Sequence, residues 1–268
     1  MFKSLLLTVF GVLLYSQQGW SNNLFPKELP QIESLNFEFY LYDELKGEDI
    51  EKIIYVLEDA RGRLLIKYGL DSTPRVKVHI WGKWASWAKN NKIFLSRNPG
   101  GVGVIGFNSF NMLKVDSSEY TSSLTDAESD FRAMMHEPTT LAVYEYVHVL
   151  MSFLNKYYYD TPSWLYQGVA CYESNAEFDI RRFSEELDYF KQPFSEMDKG
   201  ANAYILGYSI IEYILDNWGQ DSLNKLIQHN GDTKSILNIS QENFENGFWE
   251  FLQHKYFTPD ANKALHDD

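Results

Sequence analysis

The segment Leu141-Ala-Val-Tyr-Glu-Tyr-Val-His-Val-Leu150 decides how the rest of the chain is interpreted. Pro138, followed by two threonines, marks the start of a helix that runs through this segment. On a helix, Tyr144 and His148 are four residues apart and share one face. Glu145 follows Tyr144 directly. The segment therefore predicts a helix that carries Tyr144, Glu145 and His148 as one polar group.

A second segment, Pro162-Ser-Trp-Leu-Tyr-Gln-Gly-Val-Ala-Cys-Tyr-Glu173, predicts another helix, capped by Asp160-Thr161-Pro162. It places Gln167 at the nineteenth residue after His148. Cys171 lies one turn beyond Gln167 on the same face. We expect the side chains at positions 144, 145, 148 and 167 to converge on one small pocket.

The spacing of these residues resembles the peptidase MA-like group of gluzincins, the thermolysin-like metallopeptidases. Their first motif, H-E-x-x-H, aligns with residues 144–148, and a glutamate follows at the position of Gln167. Their second motif is similar to Trp164-Leu-Tyr-Gln-Gly-Val-Ala-Cys-Tyr-Glu173, and their helical tail to Tyr204–Ser209 and Trp218-Gly219. The resemblance covers roughly residues 35–257. It implies a zinc site with a general-base glutamate, and a cleft where a peptide adds as a strand to a sheet edge.

Two of the three zinc-ligand positions carry unsuitable residues. Tyr144 replaces the first histidine, and a phenol with a pKa near 10 is a poor ligand. Gln167 replaces the glutamate and offers only a neutral carbonyl oxygen. His148 keeps the second-ligand position, and Glu145 keeps that of the general base. We expect a loss of several kcal/mol in zinc affinity. We therefore expect no cofactor, and zinc only if the ligation is atypical.

Other residues near these motifs have a functional and a structural interpretation. Cys171 could supply a soft metal ligand or serve as a small buried apolar residue. Tyr204 and Tyr208 could offer an oxyanion donor or pack in the core. His136 could fold back to the site or be an ordinary loop histidine.

Periodicity predicts an α+β fold, in which a small mixed sheet with helices precedes a helical subdomain, with a gluzincin-like cleft between them. The domain plan is a signal peptide at 1–21, an α+β part at 35–137 and a helical part at 138–257. Strands are expected at Phe37–Tyr42 and Arg75–Trp81, a helix at Gly47–Tyr68, a glycine-rich hairpin within 94–115 and a polar insertion at 116–137.

Composition bounds the localisation and the partners. Lys3, the apolar run Leu5–Tyr15 and the small residues before Asn22 are typical of a secretory signal peptide, which predicts a secreted or periplasmic protein. No later segment predicts a membrane span. The formal net charge of −13 disfavours nucleic acid as a partner. The single cysteine excludes an internal disulfide.

Three functional hypotheses follow. The first is a secreted gluzincin-like pseudopeptidase that lacks zinc-dependent hydrolysis and binds a peptide or protein ligand in the former active-site cleft. The second is an active metallopeptidase with atypical ligands and Glu145 as general base. The third is a structural or interaction protein without a ligand in the cleft.

Overall fold

A computed structural model of the chain describes residues 30–42, 45, 47–82, 103–106, 109–113, 137–176, 180–181, 191, 193–197 and 202–257. The predicted signal peptide at 1–21 lies outside the described residues, as do residues 116–136 of the predicted insertion, His136 included. The chain divides into two compact units, Met1–Tyr159 and Asp160–Asp268.

The first unit is built on a mixed β-sheet, which has five strands among the described residues. These are β1 (Ile32–Glu33), β2 (Phe37–Tyr42), β3 (Val76–Trp81), β4 (Gly103–Gly106) and β5 (Ser109–Leu113), in the spatial order β1-β2-β3-β5-β4. The three central strands β2, β3 and β5 are parallel, and β1 and β4 pair antiparallel at the two edges. Alternation in β2 and β3 sends Phe37, Phe39, Val76, Val78 and Ile80 into the core.

Two long helices pack in the first unit. Helix α1 (Gly47–Tyr68) supplies the crossover that the parallel pairing of β2 with β3 requires. Helix α2 (Pro138–Leu154) packs against α1 and against β4 and β5. The helix that carries the first motif therefore lies beside the β4 end of the sheet.

The described residues of the second unit form helices. They are α3 (Ser163–Glu173), α4 (Phe194–Met197), α5 (Asn202–Ile205), α6 (Gly207–Gln228), α7 (Thr233–Leu237) and α8 (Gln241–Tyr256), and the 3-10 helix Tyr158–Asp160 precedes α3. Gly219, at φ 76°, interrupts α6 with a non-helical backbone conformation. Rings of Trp164, Phe194, Tyr213, Phe244 and Phe248 pack together in the core of this unit.

The predicted α+β class is confirmed. The bounds of β2 and α1 agree with the sequence prediction, and Gly103 and Gly106 lie in a strand, as a hairpin origin of the glycine-rich motif requires. The predicted cap of α3 is wrong, because Pro162 occupies the N-cap position and makes no side-chain cap. The chain divides after Tyr159, one helix later than the predicted junction at 138, since α2 packs on the sheet. None of the helices described is both long and apolar enough to cross a membrane.

Candidate functional site

Helix α2 is buried on all sides along its middle. Its N-terminus is capped by Glu137, whose carboxylate accepts a hydrogen bond from the backbone N–H of Thr140 at 2.7 Å. Every residue from Leu141 to Met151 is buried, so the helix has no solvent face over three turns. The first motif therefore places its ionisable side chains in an apolar environment.

Tyr144 and His148 contact each other on α2, as their four-residue spacing predicts. Their ring centroids are 4.8 Å apart and the planes are perpendicular. The imidazole also lies beside Tyr158, with centroids 6.2 Å apart. Glu145 is 1% exposed, and its Oε2 has no hydrogen-bond partner among the described residues. The first unit thus holds a buried carboxyl on the same helix as an imidazole packed against a phenol ring.

Burial makes both ionisable groups neutral. Removal from water raises the pKa of Glu145 to about 8, because the charged carboxylate loses its hydration. The same cause lowers the pKa of His148 to about 3. Near pH 7 the carboxyl is therefore mostly protonated and the imidazole uncharged. A protonated carboxyl can donate one hydrogen bond and accept others.

Gln167, in the second unit, is hydrogen-bonded to another predicted site residue. Its Nε2 donates to the Tyr204 hydroxyl at 3.0 Å, and both side chains are buried. The amide at this ligand position is thus engaged with a phenol of the same unit.

A close crossing of α3 and α6 accompanies this hydrogen bond. A Cβ on Gly168 would lie 2.7 Å from the Gly207 carbonyl oxygen, and one on Gly207 would lie 2.7 Å from Gly168 Cα. The two backbones meet because neither residue has a side chain. Gly168, which follows Gln167, and Gly207, which lies three residues after Tyr204, are therefore in direct contact.

The other predicted site residues, Cys171, Tyr204 and Tyr208, belong to the packed helices of the second unit. Cys171 is fully buried, and burial raises its pKa to about 12, which disfavours the thiolate that binds metals. Tyr208 packs its ring against Tyr172 at 5.1 Å. The tyrosines at 204 and 208 belong to α5 and α6, two helices separated at Leu206, rather than to one continuous helix.

The candidate residues form two sets, one in each unit. Tyr144, Glu145 and His148 share α2, and Gln167 is bonded to Tyr204. That the two sets converge on one pocket stays a prediction. Among the described residues, no three His, Cys, Asp or Glu side chains form a group that could hold a metal ion.

The donors at the predicted ligand positions do not fit a zinc site of the usual kind. Such sites use imidazole, thiolate and carboxylate ligands. Here one imidazole, one phenol and one amide stand at those positions, and the nearby thiol has a pKa of about 12.

Sequence reasoning missed two contributors to these surroundings. Tyr158 lies beside His148, although no motif distinguishes it from the tyrosines on either side of it in the sequence. Gly207 makes the close backbone contact with Gly168. Its signal was a glycine between two helical segments, which is equally typical of a simple break.

No protein-family model and no curated protein matches this chain.

Proposed function

We propose that this protein is a secreted or periplasmic, gluzincin-like pseudopeptidase, which binds an extended peptide without zinc-dependent hydrolysis. One observation carries the proposal. At the three ligand positions a phenol and an amide accompany one imidazole: the Tyr144 ring packs edge-on against His148, and the Gln167 amide donates to the Tyr204 hydroxyl. A site that holds a divalent cation and activates water instead needs anionic ligands or several basic ones and an ionised base.

The first unit offers a place for the peptide. Strand β4 is an edge strand, with β5 as its one strand neighbour among the described residues. Helix α2 packs against β4, so a peptide added along β4 would run beside the helix that carries Glu145. Backbone hydrogen bonds supply affinity in such strand addition and require no metal.

Zinc content tests the loss of ligation. We expect the purified protein to hold no stoichiometric zinc, and the double variant Tyr144→His/Gln167→Glu to gain it, because the substitutions restore an imidazole and a carboxylate. The matched control is Tyr146→His/Gln167→Glu, which adds the same residue types but places the histidine off the shared face. Stoichiometric zinc in the unaltered protein, or no gain in the double variant, would contradict the proposal.

Peptide binding is tested in two steps. A panel of fluorescent, unstructured peptides is first screened by fluorescence anisotropy, and hydrogen exchange of the protein is then measured with the peptides that bind. We expect bound peptide to slow exchange in residues 103–106, because an added strand pairs with the outer edge of β4. Failure of every peptide to bind would favour a structural role. Hydrolysis of the peptides that is abolished in Glu145→Gln would favour an active metallopeptidase.

A further inference from the structure

The outer face of α1 carries exposed apolar side chains. Tyr55 is 73% exposed and Ile66 is 85% exposed. They are eleven residues apart, roughly three helical turns, so they lie on one stripe of the helix. Leu35, 85% exposed, lies next to the same helix, because Ser34 and Asn36 on either side of it hydrogen-bond to Glu58.

This face, called the α1 outer face from here on, carries Tyr55 and Ile66, and Leu35 lies next to the same helix; Tyr157 is the fourth large hydrophobic side chain that is exposed in the described part of the chain. Scattered exposed residues are normal, but a grouped set marks an interaction surface.

A bare backbone lies at the centre of the α1 outer face. Gly62 is exposed, and a Cβ built on it would meet no atom within 4 Å. A glycine inside a helix costs about 1 kcal/mol relative to alanine, and nothing in the described part of this unit requires one here. Its position between Tyr55 and Ile66 allows a second helix to approach closely.

The charges on the α1 outer face complement each other under a two-fold rotation. Asp59 lies on the stripe between Tyr55 and Gly62, and Arg63 flanks it on one side. A two-fold axis that passes between Asp59 and Gly62 and relates two antiparallel α1 helices would set Asp59 of each copy close to Arg63 of the other. It would also bring Tyr55 of each copy opposite Ile66 of the other.

We propose that the protein forms a two-fold dimer through antiparallel pairing of α1 with α1 of a second copy. A second copy is the partner that the face itself specifies, because one surface supplies both the acidic and the basic half of each pair, as an isologous contact requires. The net charge of −13 per chain opposes association. At physiological ionic strength the Debye length is about 8 Å, so distant charges are screened while the Asp59–Arg63 contacts persist.

Sedimentation velocity with charge-swap variants tests the dimer and its geometry. We expect the unaltered protein to be dimeric at high concentration, and Asp59→Arg and Arg63→Asp each to weaken dimerisation at least tenfold, because each places two pairs of like charges in contact. An equimolar mixture of the two variants should dimerise again, since the two basic side chains of one variant then face the two acidic side chains of the other. The matched controls are Asp221→Arg and Lys225→Asp, an exposed acid–base pair of the same spacing on α6, which should leave dimerisation unchanged.

Three outcomes would overturn the proposal. They are an unaltered protein that stays monomeric at its highest soluble concentration, single variants that dimerise as well as the controls, and a mixture that stays monomeric. Far-UV circular dichroism checks the fold of each variant. Ile66→Ser, which keeps all charges, should also weaken dimerisation at least tenfold and serves if a charge variant fails to fold.

Discussion

Glu145 shows at the scale of one residue how a carboxyl can be buried in the protein interior without being ionised. Its helix is enclosed by protein for three turns, and the carboxyl is separated from water on every side. The sequence could predict that residues 144, 145 and 148 share a helix, because apolar composition and spacing fix the helical phase. It could not predict the pKa of about 8, since that depends on the atoms that surround the side chain in the folded protein.

Glu145→Gln should change the pH dependence of stability. The pKa of Glu145 is raised in the folded state above its ordinary value of 4.5, so the folded protein binds the extra proton between about pH 4.5 and 8. The stability that this proton contributes is complete below pH 4.5. It falls by about 1.4 kcal/mol per pH unit between pH 4.5 and 8, and it is lost once the pH has risen through 8. Glutamine mimics the neutral carboxyl at every pH. We expect urea unfolding to show that the free energy of unfolding of Glu145→Gln increases relative to that of the unaltered protein as the pH rises from 5 to 8.

Glu242→Gln, an exposed acid at the start of α8, is the control for the Glu145 variant. It should show no comparable gain across the same pH range. A constant difference in stability between Glu145→Gln and the unaltered protein would mean that the carboxyl is already ionised in the folded state.

At the scale of elements, the periodicity of the sequence predicted the bounds of helices and strands that depend on local spacing. It missed the features that depend on tertiary contacts. The bounds of α1 and β2 follow from apolar residues at helical and alternating spacing. The start of α3 does not follow the usual capping rule, since Asp160 belongs to the preceding 3-10 helix and leaves Pro162 at the cap. The crossing of α3 and α6 pairs two glycines 39 residues apart, and no local signal connects them.

Gly168→Ala should destabilise the second unit. The added methyl would lie 2.7 Å from the Gly207 carbonyl oxygen, which is backbone and cannot rotate away. Overpacking of this kind costs about 1–3 kcal/mol, measured as a lower midpoint in urea at unchanged slope.

Gly62→Ala is the matched control for the crossing, because it makes the same substitution inside a helix where the methyl meets nothing. At a concentration where the chain is monomeric, it should stabilise the protein by up to about 1 kcal/mol. Equal effects of the two substitutions would show that helix propensity, and not the crossing, controls position 168.

At the scale of the whole molecule, net charge acts against folding. The formal net charge of the chain is −13, and the mutual repulsion of the excess negative charges destabilises a compact state. Salt shortens the Debye length from about 30 Å at 0.01 M to about 10 Å at 0.1 M. We therefore expect the melting temperature to rise by a few degrees over this range. Sodium and potassium chloride should act alike if screening is the cause, and a flat or falling melting temperature would exclude it.

Cys171 gives the molecule a built-in reporter of opening. It is the one thiol of the chain, and it is sealed inside the second unit. A thiol-specific dye can therefore label the native protein only when local opening exposes α3 to solvent, and the labelling rate measures how often such opening occurs. In an oxidising compartment the same seal would keep folded copies from cross-linking through sulfur, while copies that open are captured as covalent pairs.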